Sequence, residues 1–130
     1  MGQQQLLLII LGVIIVGIAV AVGITMFKTN AVAANRDALV GDLTNLAARA
    51  HQYYRRPTSL GGGGQSFVGF ALTGRELRNP NMSADVLTSG VAANSITFTA
   101  TGTEKGSSDA YITVTMIISP DKIDTTTFTD

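Results

Sequence analysis

The stretch Leu6 to Phe27, LLLIILGVIIVGIAVAVGITMF, carries no charged side chain, and it limits the possible folds more than any other feature. At about 1.5 Å of rise per residue it makes a helix of roughly 33 Å, close to the hydrocarbon thickness of a bilayer. It can span a membrane. A secretory signal peptide has a shorter apolar region of about 7 to 15 residues, with basic residues before it and a small-residue cleavage site after it. Here only Met1, Gly2 and three glutamines come first. The segment is therefore expected to stay in the mature protein.

The helical pattern continues past Phe27. From Thr29 to Tyr54 there is no proline and no glycine cluster, and Val32, Leu39, Leu43, Leu46, Ala50 and Tyr53 follow one another at spacings of seven, four, three, four and three. Those spacings make one helical stripe. One continuous helix from about Gln4 to about Tyr54 is expected, on the order of 75 Å long. Its first half is apolar all round and its second half is amphipathic. Removing the apolar part from 130 residues leaves enough chain for one small domain, near the size where burial only just offsets chain entropy. Three segments follow: 1–27 as the apolar membrane or filament-core helix, 28–56 as its amphipathic continuation, and 57–130 as a β-rich head.

Charge and cysteine usage exclude several function classes. Nine basic and nine acidic residues balance, so no net charge recommends nucleic acid or an anionic membrane surface as a partner. With no cysteine there are no disulfides, thiolate metal sites or cysteine nucleophiles. Basic residues favour the cytoplasmic side of a membrane, yet Lys28, Arg36, Arg49, Arg55 and Arg56 all follow the span. Taken alone, this puts the soluble domain inside the cell. The other reading is a mature product whose basic leader has been removed.

The helix should stop near Tyr54, Arg55 and Arg56, since Pro57 disfavours helix in the residue before it. Arginines there suit the negative end of the helix dipole. Gly61 to Gly64 could suggest a phosphate cradle, but no strand leads in and no Lys-Ser or Lys-Thr follows, so a chain reversal is expected. Ser66 to Leu72 reads as a short strand or extended segment. Arg75 to Ala93 reads as loop, with a turn at Asn79, Pro80 and Asn81 and one helical turn around Ala84 to Leu87. Ser95 to Thr101 alternates Ile96, Phe98 and Ala100 against threonines, and Tyr111 to Ile118 alternates Ile112, Val114, Met116 and Ile118 against Thr113 and Thr115. With the polar Gly102 to Asp109 between them, these two form an antiparallel hairpin. Ile123 to Thr129 follows as an edge strand. The apolar face of this sheet needs cover, and Leu39, Leu43, Leu46 and Ala50 are expected to supply it.

The order of these parts resembles that of type IV pilins and of the pseudopilins of type II secretion systems: a short polar start, a long apolar run, an amphipathic continuation, and a small β-rich domain. The chain is also similar to an uncharacterised bacterial branch of pilin-like proteins that share the QQQLLLII start and the YYRRPTSLGGGG segment. The resemblance implies an α+β fold, a pilin-like lollipop in which the long N-terminal helix packs on a small antiparallel sheet. It further implies removal of a leader by a prepilin peptidase, passage through the inner membrane, and polymerisation with the pilus assembly machinery into an extracellular filament. Typical pilins carry a glutamate near the start of the mature helix. If Met1 is the first mature residue, Gln5 takes that position, and an amide can accept a hydrogen bond from an ammonium but cannot cancel its charge. If Gly2 ends a leader, the position falls on Leu7.

Gly17 with Ala21, and Ala19 with Gly23, are small residues four apart, which let helix backbones approach closely in an apolar medium. The surface expected to carry assembly is Gln5, Leu6, Ile10, Gly12, Ile14, Gly17, Ala19, Ala21 and Gly23, and its expected partner is a further copy of the chain. A search for chemistry finds little. His51 has no carboxylate at metal-ligand spacing, and Asp37 and Asp42, five apart, share no helix face. Asn81-Met82-Ser83 is a glycosylation sequon, a short pattern that arises easily by chance. No catalytic site, metal or cofactor is expected. The function expected is a structural filament subunit; a pseudopilin or a single-span anchored binding domain are the alternatives.

Overall fold

In the computed structural model, which describes residues 2–130, one α-helix, two short 3-10 turns (Thr58–Leu60 and Gly74–Glu76) and four strands follow in order. Helix α1 runs over Gly2–Arg55 without a break. Strands β1 (Leu87–Ala92), β2 (Ser95–Lys105), β3 (Tyr111–Ile118) and β4 (Ile123–Thr129) form one antiparallel sheet in the order β1-β2-β3-β4. The layout is α+β. Two compact units divide the chain, one up to Ala31 and one over Val32–Asp130.

In the second unit the core forms where two periodicities meet. Leu39, Leu43, Leu46, Ala47 and Ala50 recur every three or four residues on one side of α1, and all are buried. Every second residue of β2 and β3 is buried as well: Ile96, Phe98 and Ala100 on one strand, Ile112, Val114, Met116 and Ile118 on the other. Phe67, Leu72, Met82 and Val86, from the chain between helix and sheet, belong to the same cluster. Fully burying one of these larger side chains contributes about 1.5–3 kcal/mol. The sheet's other face holds Thr97, Thr99, Thr101, Thr113 and Thr115, which alternate with the core residues and remain half-exposed.

Arg55 lies in the last turn of α1, where the dipole favours a cation, and the carbonyls at that end are met by the glycine run and Gln65. The N–H groups of Gly63, Gln65 and Gly64 donate to the carbonyls of Tyr53, Tyr54 and Arg56 at 2.8, 2.7 and 3.0 Å. These are carbonyls that a helix end leaves without partners. Only glycine fits there: a Cβ on Gly62 would overlap the Arg56 carbonyl, and one on Gly63 would overlap that of Ser66.

Three expectations from the sequence need correction. Ser66–Leu72 is not a strand: Phe67 and Leu72 are buried, but Gly69 at φ +88° and a Phe70 N–H to Phe67 C=O bond of 3.0 Å turn the chain between them. No helical turn occupies Ala84–Leu87; the nearer of the two 3-10 turns lies earlier, at Gly74–Glu76, held by a capping box from Thr73 to Glu76. The loop ascribed to Arg75–Ala93 ends instead in β1. That strand shows no alternation because almost none of it is buried, so it lacks the pattern that marks β2 and β3. Strand β2 also runs four residues beyond Thr101, to Lys105.

Among the described residues, Asn35 is the one buried polar side chain. Its Nδ2 donates to the Asn81 carbonyl at 2.9 Å, and its Oδ1 accepts from the N–H groups of Thr103 and Glu104 at 3.1 and 3.4 Å. One amide thus joins the helix to the far end of β2 and to the loop before β1. A Cβ on Gly102 would overlap Asn35 Oδ1, which explains the glycine at that point of the strand. Asn35→Ala leaves the Asn81 carbonyl and the Thr103 N–H without partners, at about 1–3 kcal/mol for each group that stays dry. A loss of about 2–3 kcal/mol is expected, measured as a lower urea midpoint of the full chain in mild detergent.

Candidate functional site

Along the first unit, α1 is long and apolar enough to cross a membrane. Every residue from Gln3 to Asn30 is exposed. An apolar surface of that size in a water-soluble monomer would be uncovered, which marks it as a surface for lipid or for other protein.

The residues singled out for assembly divide into two groups by position around the helix. At about 100° per residue, Gln5, Gly12, Ala19 and Gly23 fall within about 40° of one another. Leu6, Ile10, Ile14, Gly17 and Ala21 fall on the roughly opposite side, within about 80°. Each side therefore carries a notch, Ala19 with Gly23 on one and Gly17 with Ala21 on the other. A Cβ built on Gly12, Gly17 or Gly23 meets nothing within 4 Å. The fold of the chain itself does not require these glycines, and small side chains leave the backbone open to approach from outside. The spacing needed to see the two opposed stripes was present in the sequence, at intervals of seven, seven and four on one side and four, four, three and four on the other.

The head offers less. Leu39, Leu43, Leu46 and Ala50 are used in its core. His51 Nε2 donates to the Ser119 carbonyl at 2.7 Å and its ring lies 6.4 Å from that of Phe67, so it ties α1 to the end of β3. Asp42 Oδ2 accepts from Nδ2 of Asn79 at 2.6 Å and of Asn81 at 3.3 Å, a local clamp on the turn that the sequence marks. Among the described residues no group of three or more His, Asp or Glu could hold a metal ion. A shallow recess of about 270 Å³ lies beside Tyr53, Arg56, Phe70 and Thr73, and one of about 200 Å³ lies beside Asp42, Arg75 and Asn79. Both are below the roughly 300–1,000 Å³ usual for small-molecule sites. The Arg49–Glu76 ion pair borders both recesses.

Asn35 is the buried structural contact that a reading of the sequence passes over. It lies three residues after Val32 and four before Leu39, on the buried stripe, and a polar residue interrupting such a stripe is the signal that could have found it. No protein-family model, curated protein or solved structure matches this chain.

Proposed function

We propose that this chain is the structural subunit of an extracellular type IV pilus-like filament, polymerising through its N-terminal apolar helix. The observation that carries this reading is the pair of notched apolar stripes on opposite sides of the first half of α1, both open to the outside. One self-complementary stripe would satisfy itself in a closed dimer. Two stripes facing away from each other let every helix contact two neighbours, and such contacts continue into an open array unless a rotation closes them. Bilayer and filament core are both apolar, so moving the helix between them changes its hydrophobic free energy little, and selectivity comes from close packing at Gly17, Ala21, Ala19 and Gly23. Gln5 lies on one stripe as a hydrogen-bonding group without charge. The partners implied are other copies of the chain, the inner membrane before assembly, a prepilin peptidase and the assembly machinery.

Electron microscopy of material sheared from producing cells tests the reading directly. Thin filaments made of this chain are expected. Gly17→Leu combined with Ala21→Leu fills one notch and should lower filament yield at least tenfold while the amount of chain in the membrane fraction stays the same. Equal yield would remove the packing argument. Recovery of the unaltered chain solely as a detergent-soluble single species would favour a membrane-anchored binding domain instead.

A further inference from the structure

The free edge of β4 points to a second assembly contact, and we infer that two copies of this chain join there, β4 to β4, antiparallel about a two-fold axis through Thr127. The sheet has two outer strands, and they are not alike. Strand β1 carries a register shift between Ser89 and Ala92, with Gly90 at φ +58° inside it. Its approaches are also tied to other segments, by a Phe67 N–H to Ala93 C=O bond of 3.2 Å and a Val86 N–H to Leu77 C=O bond of 2.7 Å. A bulge and flanking loops are the usual protection of an edge strand. Strand β4 pairs with β3 alone, and from Thr125 to Thr129 its register is unbroken: Ile117↔Thr125, Met116↔Thr126, Thr115↔Thr127, Val114↔Phe128, Thr113↔Thr129. Those five residues contain no proline, glycine or charge, and all but the half-exposed Thr126 are exposed. An uncovered, regular, β-branched edge is a template for another strand.

The sequence of the edge selects a second β4 as the occupant. Antiparallel pairing about Thr127 sets Thr125 opposite Thr129, Thr126 opposite Phe128, and Thr127 opposite itself. No charge meets a like charge inside the paired stretch. Just beyond it, Asp124 of one copy comes toward Asp130 of the other, and each brings its own cation: Asp124 lies 3.2 Å from Lys122, and Asp130 is paired with Arg36. Both ends of the joint are then balanced clusters of two acids and two bases. The register also keeps the faces in phase, because opposite residues of an antiparallel pair share a face. The row of half-exposed Thr99 and Thr115 and exposed Thr127 would continue into Thr127, Thr115 and Thr99 of the second copy. The eight strands would make one sheet, within the ordinary range of sheet size.

The chain has no cysteine, so single cysteines report the joint cleanly. Thr127→Cys in the full chain, held in mild detergent and oxidised, should give a covalent dimer as the main product, since directly opposed Cβ atoms lie about 4.5–5.5 Å apart. Thr101→Cys, on the same face but on β2, lies five strand spacings across and four residues along from its mate, about 27 Å in all, and should give at least tenfold less. Thr127→Lys sets two ammonium groups face to face at an exposed position. In that background the dimer formed by Thr125→Cys with Thr129→Cys should fall at least tenfold. Equal cross-linking at Thr127 and Thr101, or full cross-linking in the Thr127→Lys background, would overturn the inference. The contact is independent of the filament reading: filling the helix notch with Gly17→Leu and Ala21→Leu should leave cross-linking at Thr127 unchanged even where it removes filaments.

Discussion

On the proposed filament reading, Ile14→Asp is expected to abolish filaments while leaving the chain in the membrane. The two outcomes separate because they draw on different energies. For insertion, a central aspartate costs about 2.5–3.5 kcal/mol, whereas each Leu, Ile, Val or Phe near the centre of a span contributes about −0.3 to −0.6 kcal/mol. Fifteen of the 22 residues from Leu6 to Phe27 are of those four kinds, so their sum outweighs one acid. In a lipid-facing helix the carboxylate can also draw water and headgroups toward itself. In a packed helix array it has no such relief. Ile14 lies on the same side as Gly17 and Ala21, so a neighbouring helix seated in that notch would trap the charge without a partner. Removing a charge from water without pairing it costs several kcal/mol. A loss of about 3 kcal/mol per contact lowers association by more than a hundredfold at each step, and a polymer repeats that step along its length. Membrane fractionation and electron microscopy of sheared material read the two effects separately. Filaments at unaltered yield would mean that this side of the helix is not packed against another copy. Chain lost from the membrane would mean that the segment is not held there by its apolar length.

The parts of the fold that were legible in the sequence are those where burial is periodic. The stripe through Leu39, Leu43, Leu46 and Ala50 could be seen because one side of a helix is dry and the other wet, and the alternations of β2 and β3 because one sheet face is dry. Where burial is uniform the pattern fails. Strand β1 is exposed nearly throughout and reads as loop, although its backbone pairs along β2 from Leu87↔Thr99 to Ala92↔Ser95. Phe67, Val68, Phe70 and Leu72 produced the opposite error: the apolar run reads as a short strand or extended segment, but the chain turns at Val68 and Gly69 between the buried Phe67 and Leu72. Backbone hydrogen bonding leaves no mark on a sequence unless side chains share its period.

The same limit applies to the surfaces proposed for assembly. The glycines of α1 could be found as small residues at a spacing of four, but their openness is a three-dimensional property. Gly102 and Gly17 look alike as letters; a Cβ at the first would strike Asn35 and Ile112, while a Cβ at the second would strike nothing. The first is a requirement of the chain's own core, and the second is free to serve a contact outside it. The contrast between the edges of β1 and β4 is likewise invisible until register is known, since both sequences are rich in threonine, serine and β-branched residues.

Phe98→Ala is expected to be the most damaging single substitution in the head, and it tests the core as Ile14→Asp tests the span. Phe98 is fully buried near the middle of β2, with Thr88 opposite on β1 and Met116 opposite on β3. Its ring lies 5.9 Å from that of Phe70, so it also holds the chain that leads from the helix to the sheet. Truncating a buried phenylalanine costs about 3–5 kcal/mol, part for lost transfer from water and part for the cavity that remains. A domain of this size has about 5–15 kcal/mol in all, so a fifth or more of its stability should go. At roughly 4–8 °C per kcal/mol, the melting temperature should fall by about 12–40 °C. Thr99→Ala, one residue along on the half-exposed face, should change stability by about 0.5 kcal/mol or less. Thermal and urea unfolding of both variants in mild detergent, followed by near-ultraviolet circular dichroism, measures the difference. A cost below 1 kcal/mol for Phe98→Ala would mean that the core does not close around this side chain. If the apolar segment holds the chain in a membrane, the membrane-bound fraction should be unaffected by either change, because neither alters Leu6 to Phe27.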